Sequence, residues 1–82
     1  MRVLTNDTWA AAYLIVEGGE LVELLVDKSG QRQSGTFVVE GREVLALMER
    51  YSTGQARTSV KALRDTVTTL RGRLARALRS VA

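Results

Sequence analysis

Apolar and polar residues form blocks along the chain, and the first blocks predict a short strand followed by a buried helix. Arg2–Thr5, with two apolar residues between two polar ones, is interpreted as a short strand. The run from Trp9 to Val16 is apolar and contains three consecutive alanines, which favour helix strongly. Asn6 or Thr5 is the expected cap of a helix from Asp7 to Glu17, and Gly18-Gly19 supplies its stop.

The middle of the chain has the pattern of a β-hairpin. Glu20–Val26 is short, apolar and bounded by turn formers, so it predicts a strand. Asp27–Gly30 has the residues of a type I turn, with Asp at its first position and Gly at its last. Thr36–Val39 is β-branched and aromatic and predicts the returning strand, whereas the polar residues 31–35 are expected to fray.

A helical period resumes after this hairpin. Val44, Met48 and Tyr51 stand four and three residues apart, which predicts a helix over Arg42–Tyr51. The element order is therefore (β)αββαα in a single domain, residues 1–82. We expect an α+β fold in which three helices cover one face of a two- or three-stranded antiparallel sheet. Such a sheet keeps open edges, and open edges favour a homo-oligomer.

The last predicted helix, Val60–Ser80 with a capping Ser59, is strongly two-sided. Its apolar residues recur every three or four positions through three heptads, and we call them the apolar stripe: Val60, Leu63, Val67, Leu70, Leu74, Ala77 and Val81. At about 100° per residue the basic residues fall on the opposite side, with Arg73 flanking them. We call this set the basic face: Arg57, Lys61, Arg64, Arg71, Arg76 and Arg79.

The apolar stripe has two interpretations, which the sequence leaves open. In the first, the stripe packs on the core of its own domain. In the second, part of it pairs with a second chain, because three heptads are long for so small a body. The candidate interface residues under the second interpretation are Leu70, Leu74, Leu78 and Val81.

Charge is divided unevenly along the chain. Residues 1–54 hold five basic and eight acidic residues, while residues 55–82 hold seven basic residues and one aspartate. The negative carboxyl end of a helix accounts for Arg76 and Arg79, but not for Lys61 or Arg64 near the helix start. An acidic body with a basic tail is typical of a protein that binds a polyanion such as DNA or RNA.

The composition excludes several kinds of chemistry. The chain has no cysteine and no histidine, so it can form neither disulfides, thiolate metal sites nor histidine-based catalytic sets. The glutamate pairs Glu20/Glu23 and Glu40/Glu43 are interpreted as solvated rather than catalytic. We therefore predict that the protein is not an enzyme and has no catalytic, cofactor-binding or metal-binding residues, no cofactor and no small-molecule substrate.

Two further expectations concern location and the aromatic residues. No stretch reaches the roughly 20 apolar residues that span a membrane, and no secretory signal is visible, so a cytoplasmic setting without membrane contact is expected. Trp9, Tyr13, Phe37 and Tyr51 stand at core spacing, and we interpret them as packing residues rather than a base-stacking platform. Trp9, near a helix start, is the one whose exposure needs checking.

Short motifs spread over nearly the whole chain carry a resemblance to a family. They comprise Thr5, Asp7, Ala11, Ala12, Tyr13, Leu14, Gly18 or Gly19, Leu21, Phe37, Tyr51, Thr53, Gly54, Ala56, Arg57 and Leu63. In this pattern the chain resembles a family of small uncharacterised domains of bacteria and phages. It departs from that family at Tyr51-Ser52-Thr53, where the family has an additional residue. The resemblance implies a small accessory protein of mobile-element origin and no particular activity.

These observations support two hypotheses of function. In the leading one, the protein is a non-enzymatic module that binds DNA or RNA without sequence specificity through the basic face. In the alternative, it is a protein-interaction or oligomerisation module whose arginines are solvated.

Overall fold

The computed structural model describes residues 1–27 and 34–80. The elements are β1 (Arg2–Thr5), α1 (Thr8–Val16), β2 (Glu20–Asp27), β3 (Ser34–Glu40), α2 (Val44–Ser52) and α3 (Val60–Ser80). This order, βαββαα, confirms the predicted α+β class. The predicted hairpin turn begins at Asp27, and its other residues lie outside the described part of the chain. Val81 also lies outside it.

The three strands form one antiparallel sheet in the order β1-β3-β2. The central β3 pairs with β1 on one side and with β2 on the other, so Phe37 stands between Thr5 and Leu24. The expectation that residues 31–35 fray was wrong for Ser34 and Gly35, which pair with Asp27 and Val26. Gly35 is also buried, because Leu74 of α3 lies directly against it.

All three helices contribute to a single core on one face of the sheet, as predicted. Phe37 and Val39 of β3 face this core and are fully buried. Helix α1 lies at its centre, with five consecutive buried residues from Ala10 to Leu14. Val44 and Leu47 of α2 and Val67 and Leu70 of α3 complete it. The core thus draws on every helix, and α3 is held against α1 and β2.

Helix α1 begins at a cap that differs from the predicted one. The Asp7 carboxylate accepts the backbone N–H groups of Trp9 and Ala10 at 3.0 and 3.2 Å, so Asp7 is the N-cap rather than Asn6 or Thr5. The Thr5 hydroxyl instead accepts the Asp7 amide at 3.1 Å. The second Asp7 oxygen accepts the Tyr51 hydroxyl at 2.9 Å. Burial raises the pKa of Tyr51, and this bond to Asp7 raises it further.

The other two helices follow the predicted pattern, but both ends of α2 are shifted, since it ends at Ser52 rather than Tyr51. Helix α2 begins at Val44 rather than Arg42, after Glu43, whose side chain makes no capping bond. The following loop turns at Gly54, whose positive φ of 78° suits glycine. The bounds of α3 agree with the prediction, and the Ser59 hydroxyl caps it by accepting the Ala62 amide at 3.2 Å.

Candidate nucleic-acid interface

The apolar stripe of α3 is used mainly by the chain's own core. Val67 and Leu70 are only 2% exposed, and Leu63 and Leu74 pack partly against the same cluster. Val60, in contrast, is 79% exposed at the start of the helix. The interpretation that the stripe packs on the core of its own domain therefore holds for its middle part, which α1 and β2 cover.

This arrangement changes the set of residues open to a second chain. Leu70 lies in the core and has almost no surface left to offer a partner. Leu74 and Leu78 are half-buried, and Val81 lies outside the described residues. An interface on this side of α3 would therefore rest on Leu74 and Leu78 among the residues that the structure describes.

The basic face is open to solvent along the whole of α3. Its six members are all exposed: Arg57 in the segment before the helix, and Lys61, Arg64, Arg71, Arg76 and Arg79 on α3 itself. Within residues 1–27 and 34–80 there are two ion pairs, Arg2 with Glu40 and Lys61 with Asp65. No arginine of the basic face takes part in either. The guanidinium groups therefore keep their hydrogen-bonding capacity for an external anion.

The arginines are not all on the same side of the helix. Arg64 and Arg71 are seven residues apart, which brings them to the same side at a rise of about 10 Å. Arg71 follows Val67 by four residues and lies only about 40° from it, at the edge of the apolar stripe. The prediction that these residues lie opposite the stripe was therefore wrong for Arg71 and for Arg64, which shares its side. Lys61, Arg76 and Arg79 point more directly away from the core.

Arg71 reaches an exposed aromatic ring. Its guanidinium carbon lies 5.9 Å from the centre of the Trp9 ring on α1, within the range of a cation–π contact. Trp9 is 41% exposed, so the packing interpretation was wrong for this residue. Tyr13 and Phe37 are buried, and Tyr51 packs partly against the core, as predicted. The contact arises because α1 and α3 pack side by side, which places the first turn of α1 beside the basic face.

An apolar patch on the other side of the sheet was missed by the sequence analysis. Leu4 is 60% exposed, and Leu25 and Val22 are also exposed, on the face of the sheet opposite the described helices. Val22 falls at an irregularity between Leu21 and Glu23, where the pairing of β2 with β3 shifts by one residue. We call this the outer sheet face. The sequence signal for this face lies in the strands. Successive side chains of a strand point to opposite faces of the sheet, so apolar residues next to core-facing positions lie on the outer face.

Comparison of the chain with models of protein families, with curated proteins and with solved structures gives no match. The resemblance to small bacterial and phage domains therefore stays a prediction. Among the described residues, no helix is both long enough and apolar enough to cross a membrane.

The acidic residues of β2 and β3 meet at one end of the sheet, where Glu40 is paired with Arg2. Arg2 donates to Glu40 at 2.7 Å and holds the pKa of that carboxyl below its ordinary value. A carboxylate kept ionised in this way is a poor proton donor for general acid catalysis. Glu20 stands directly across from Glu40, but residues 1–27 and 34–80 hold no cluster of three groups that could bind a metal ion. The absence of enzymatic activity stays a prediction.

Proposed function

We propose that this chain is a non-enzymatic binding module that holds nucleic acid through the basic face of α3. The observation that carries the proposal is an intact helix of 21 residues whose exposed arginines have no carboxylate partner in the described part of the chain. Guanidinium groups bind phosphate oxygens in a bidentate manner, and a row of them on one helix can follow a phosphate backbone.

The contacts favour binding to the backbone rather than reading of the bases. Lys61 and Arg79 are about 27 Å apart along α3, so the basic face can contact several consecutive phosphates. The polar neighbours that could read base edges are engaged elsewhere: the hydroxyls of Thr68 and Thr69 donate to backbone carbonyls of their own helix. We therefore propose binding without sequence specificity.

A salt series tests this proposal. Binding of a random 20-base-pair duplex and of a 20-nucleotide single strand would be measured by fluorescence anisotropy. If four or five basic residues contact phosphates, the logarithm of the binding constant falls with the logarithm of salt concentration at a slope of about −4. No binding at low salt contradicts the proposal.

A matched pair of variants tests the location of the site. Arg64→Glu with Arg79→Glu reverses two charges on the basic face. Arg42→Glu with Arg50→Glu makes the same change in net charge at exposed positions in and just before α2, which packs on α1 and β1. We expect the first pair to abolish binding and the second to weaken it only slightly. Equal losses would show that net charge, and not α3, governs binding.

The outer sheet face supports a second candidate function, self-association. Its exposed Leu4, Val22 and Leu25 are of the kind that marks an interaction surface. The face also carries both charge signs at one level across the sheet, with Arg2 on β1, which pairs with Glu40 of its own chain, and Glu20 on β2. A two-fold axis parallel to the strands would bring Arg2 of one copy over Glu20 of the other.

Solution mass as a function of concentration tests this candidate. We expect Leu4→Lys with Leu25→Lys to yield a monomer, and Leu45→Lys, which changes an exposed leucine on α2, to leave the dimer intact. A monomeric mass for the unmodified protein at all concentrations contradicts self-association. Nucleic-acid binding by the basic face does not depend on this result.

A further inference from the structure

We infer that Trp9 and Arg71 together form a stacking site for an unpaired base, so that the nucleic acid bound by the basic face is single-stranded. This inference rests on the proposed function and names its substrate class. It begins from Trp9, the single tryptophan of the chain. All four aromatic residues lie in the described part of the chain, and Trp9 is the exposed one among them.

The position of Trp9 has no explanation in the packing of the core. The ring sits in the first turn of α1, outside the buried cluster that takes Tyr13 and Phe37. Its contact with Arg71 leaves 41% of the residue open to solvent. The domain loses the burial of the 41% of Trp9 that stays exposed, whereas in a binding site this open part of the ring offers a flat surface of low conformational entropy.

The surroundings of Trp9 suit a strand of phosphates. Arg64 and Arg71 follow the same side of α3, and Thr68, which lies between them in that row, is exposed. The nearby Asp7 carboxylate is engaged by two backbone amides and by the Tyr51 hydroxyl. A backbone can therefore run along the row while a base reaches the indole ring.

Only an unpaired base has a free face to place on this ring. In a duplex the faces of the bases are stacked on each other, and a protein meets phosphates and groove edges. Proteins that hold single strands combine a basic track with aromatic rings and arginine planes, and this is the combination that α1 and α3 create by packing side by side. Duplex binding would use the arginines alone.

The intrinsic fluorescence of Trp9 gives a direct test, because no other tryptophan contributes. We expect a 20-nucleotide oligo-dT to quench this fluorescence in parallel with its anisotropy signal, and a 20-base-pair duplex to bind without comparable quenching. Binding of oligo-dT without any change in tryptophan fluorescence would overturn the inference. A fluorescence change on dilution of the protein alone, with no nucleic acid present, would also overturn it, because it would show a second copy covering the ring.

Three variants separate stacking from charge and from folding. Trp9→Leu removes the ring and is expected to weaken oligo-dT binding by about 5- to 150-fold while duplex binding stays unchanged. Trp9→Phe keeps a ring and is expected to retain most of the affinity, and this controls for loss of the fold. Arg71→Lys keeps the charge but loses the planar group, and is expected to weaken oligo-dT binding more than duplex binding.

The outcomes distinguish the two proposals. If neither oligo-dT nor duplex binds at low salt, both the proposed function and this inference fail. If both bind with a steep salt dependence and Trp9→Leu binds oligo-dT as tightly as the unmodified protein, only the stacking site fails.

Discussion

Helices α1 and α3 pack against each other but depend on the rest of the chain in different ways. Helix α1 has nine residues, none of them charged, and the five from Ala10 to Leu14 are all buried. Helix α3 has 21 residues, of which only Val67 and Leu70 are buried. Packing therefore constrains nearly every side chain of α1 and few of α3. The arginines on the outer side of α3 are exposed and have no ion-pair partner among the described residues, so they are open to an external ligand.

The largest expected effect is the loss of a core leucine from α1. Leu14 is fully buried, so Leu14→Ala is expected to lower the free energy of unfolding by about 2–5 kcal/mol, measured by urea denaturation. The matched change Leu78→Ala on α3 removes a half-buried side chain and should cost about 1 kcal/mol. Equal costs at the two positions would break the contrast between the helices.

Removing the cap of α1 should likewise lower the free energy of unfolding more than removing the cap of α3. Asp7→Ala removes the cap of α1 and also the acceptor of the Tyr51 hydroxyl, so we expect a loss of about 1–2 kcal/mol in urea denaturation. Ser59→Ala removes only the single capping bond of α3 and should cost about 0.5–1 kcal/mol. If the α3 cap proves the more costly one, the beginning of α3 is more important to the fold than its exposed residues suggest.

Neutralising arginines on α3 should affect binding without affecting stability. Arg64→Gln with Arg76→Gln is expected to change the free energy of unfolding by about 0.5 kcal/mol or less per site, because neither side chain has an ion-pair partner in the described residues. The same variant should bind the single strand with a shallower salt dependence. A loss of stability above about 2 kcal/mol would mean that these arginines have a structural role.

The smallest expected effect is alkaline destabilisation through the cap of α1. The folded-state pKa of Tyr51 is raised above its ordinary value of about 10, so the folded protein holds this proton more tightly than the unfolded chain. The resulting stability is present below that ordinary pKa and is lost as pH rises through the higher folded value. Urea midpoints between pH 8 and 11 should fall less steeply in Tyr51→Phe. Identical slopes in the two proteins would contradict the role of the Tyr51–Asp7 bond.

Much of the fold was predictable because its signals are local. The bounds of α3 and the cap at Ser59 follow from helical period and from side-chain capping within a few residues. The errors came from distant partners. Gly35 joins β3 because Val26 pairs with it and Leu74 covers it. Asp7 is the cap of α1, and its carboxylate also binds Tyr51, which is 44 residues away.

The candidate site divides in the same way. The sequence by itself determined that a two-sided basic helix forms, because helical period depends only on residue spacing. It also determined that histidine and cysteine chemistry is absent. Only the tertiary structure decided that the core covers Leu70, that Trp9 stays exposed beside Arg71, and that the outer sheet face keeps exposed apolar side chains. Exposure depends on which elements pack together, and no local pattern contains that information.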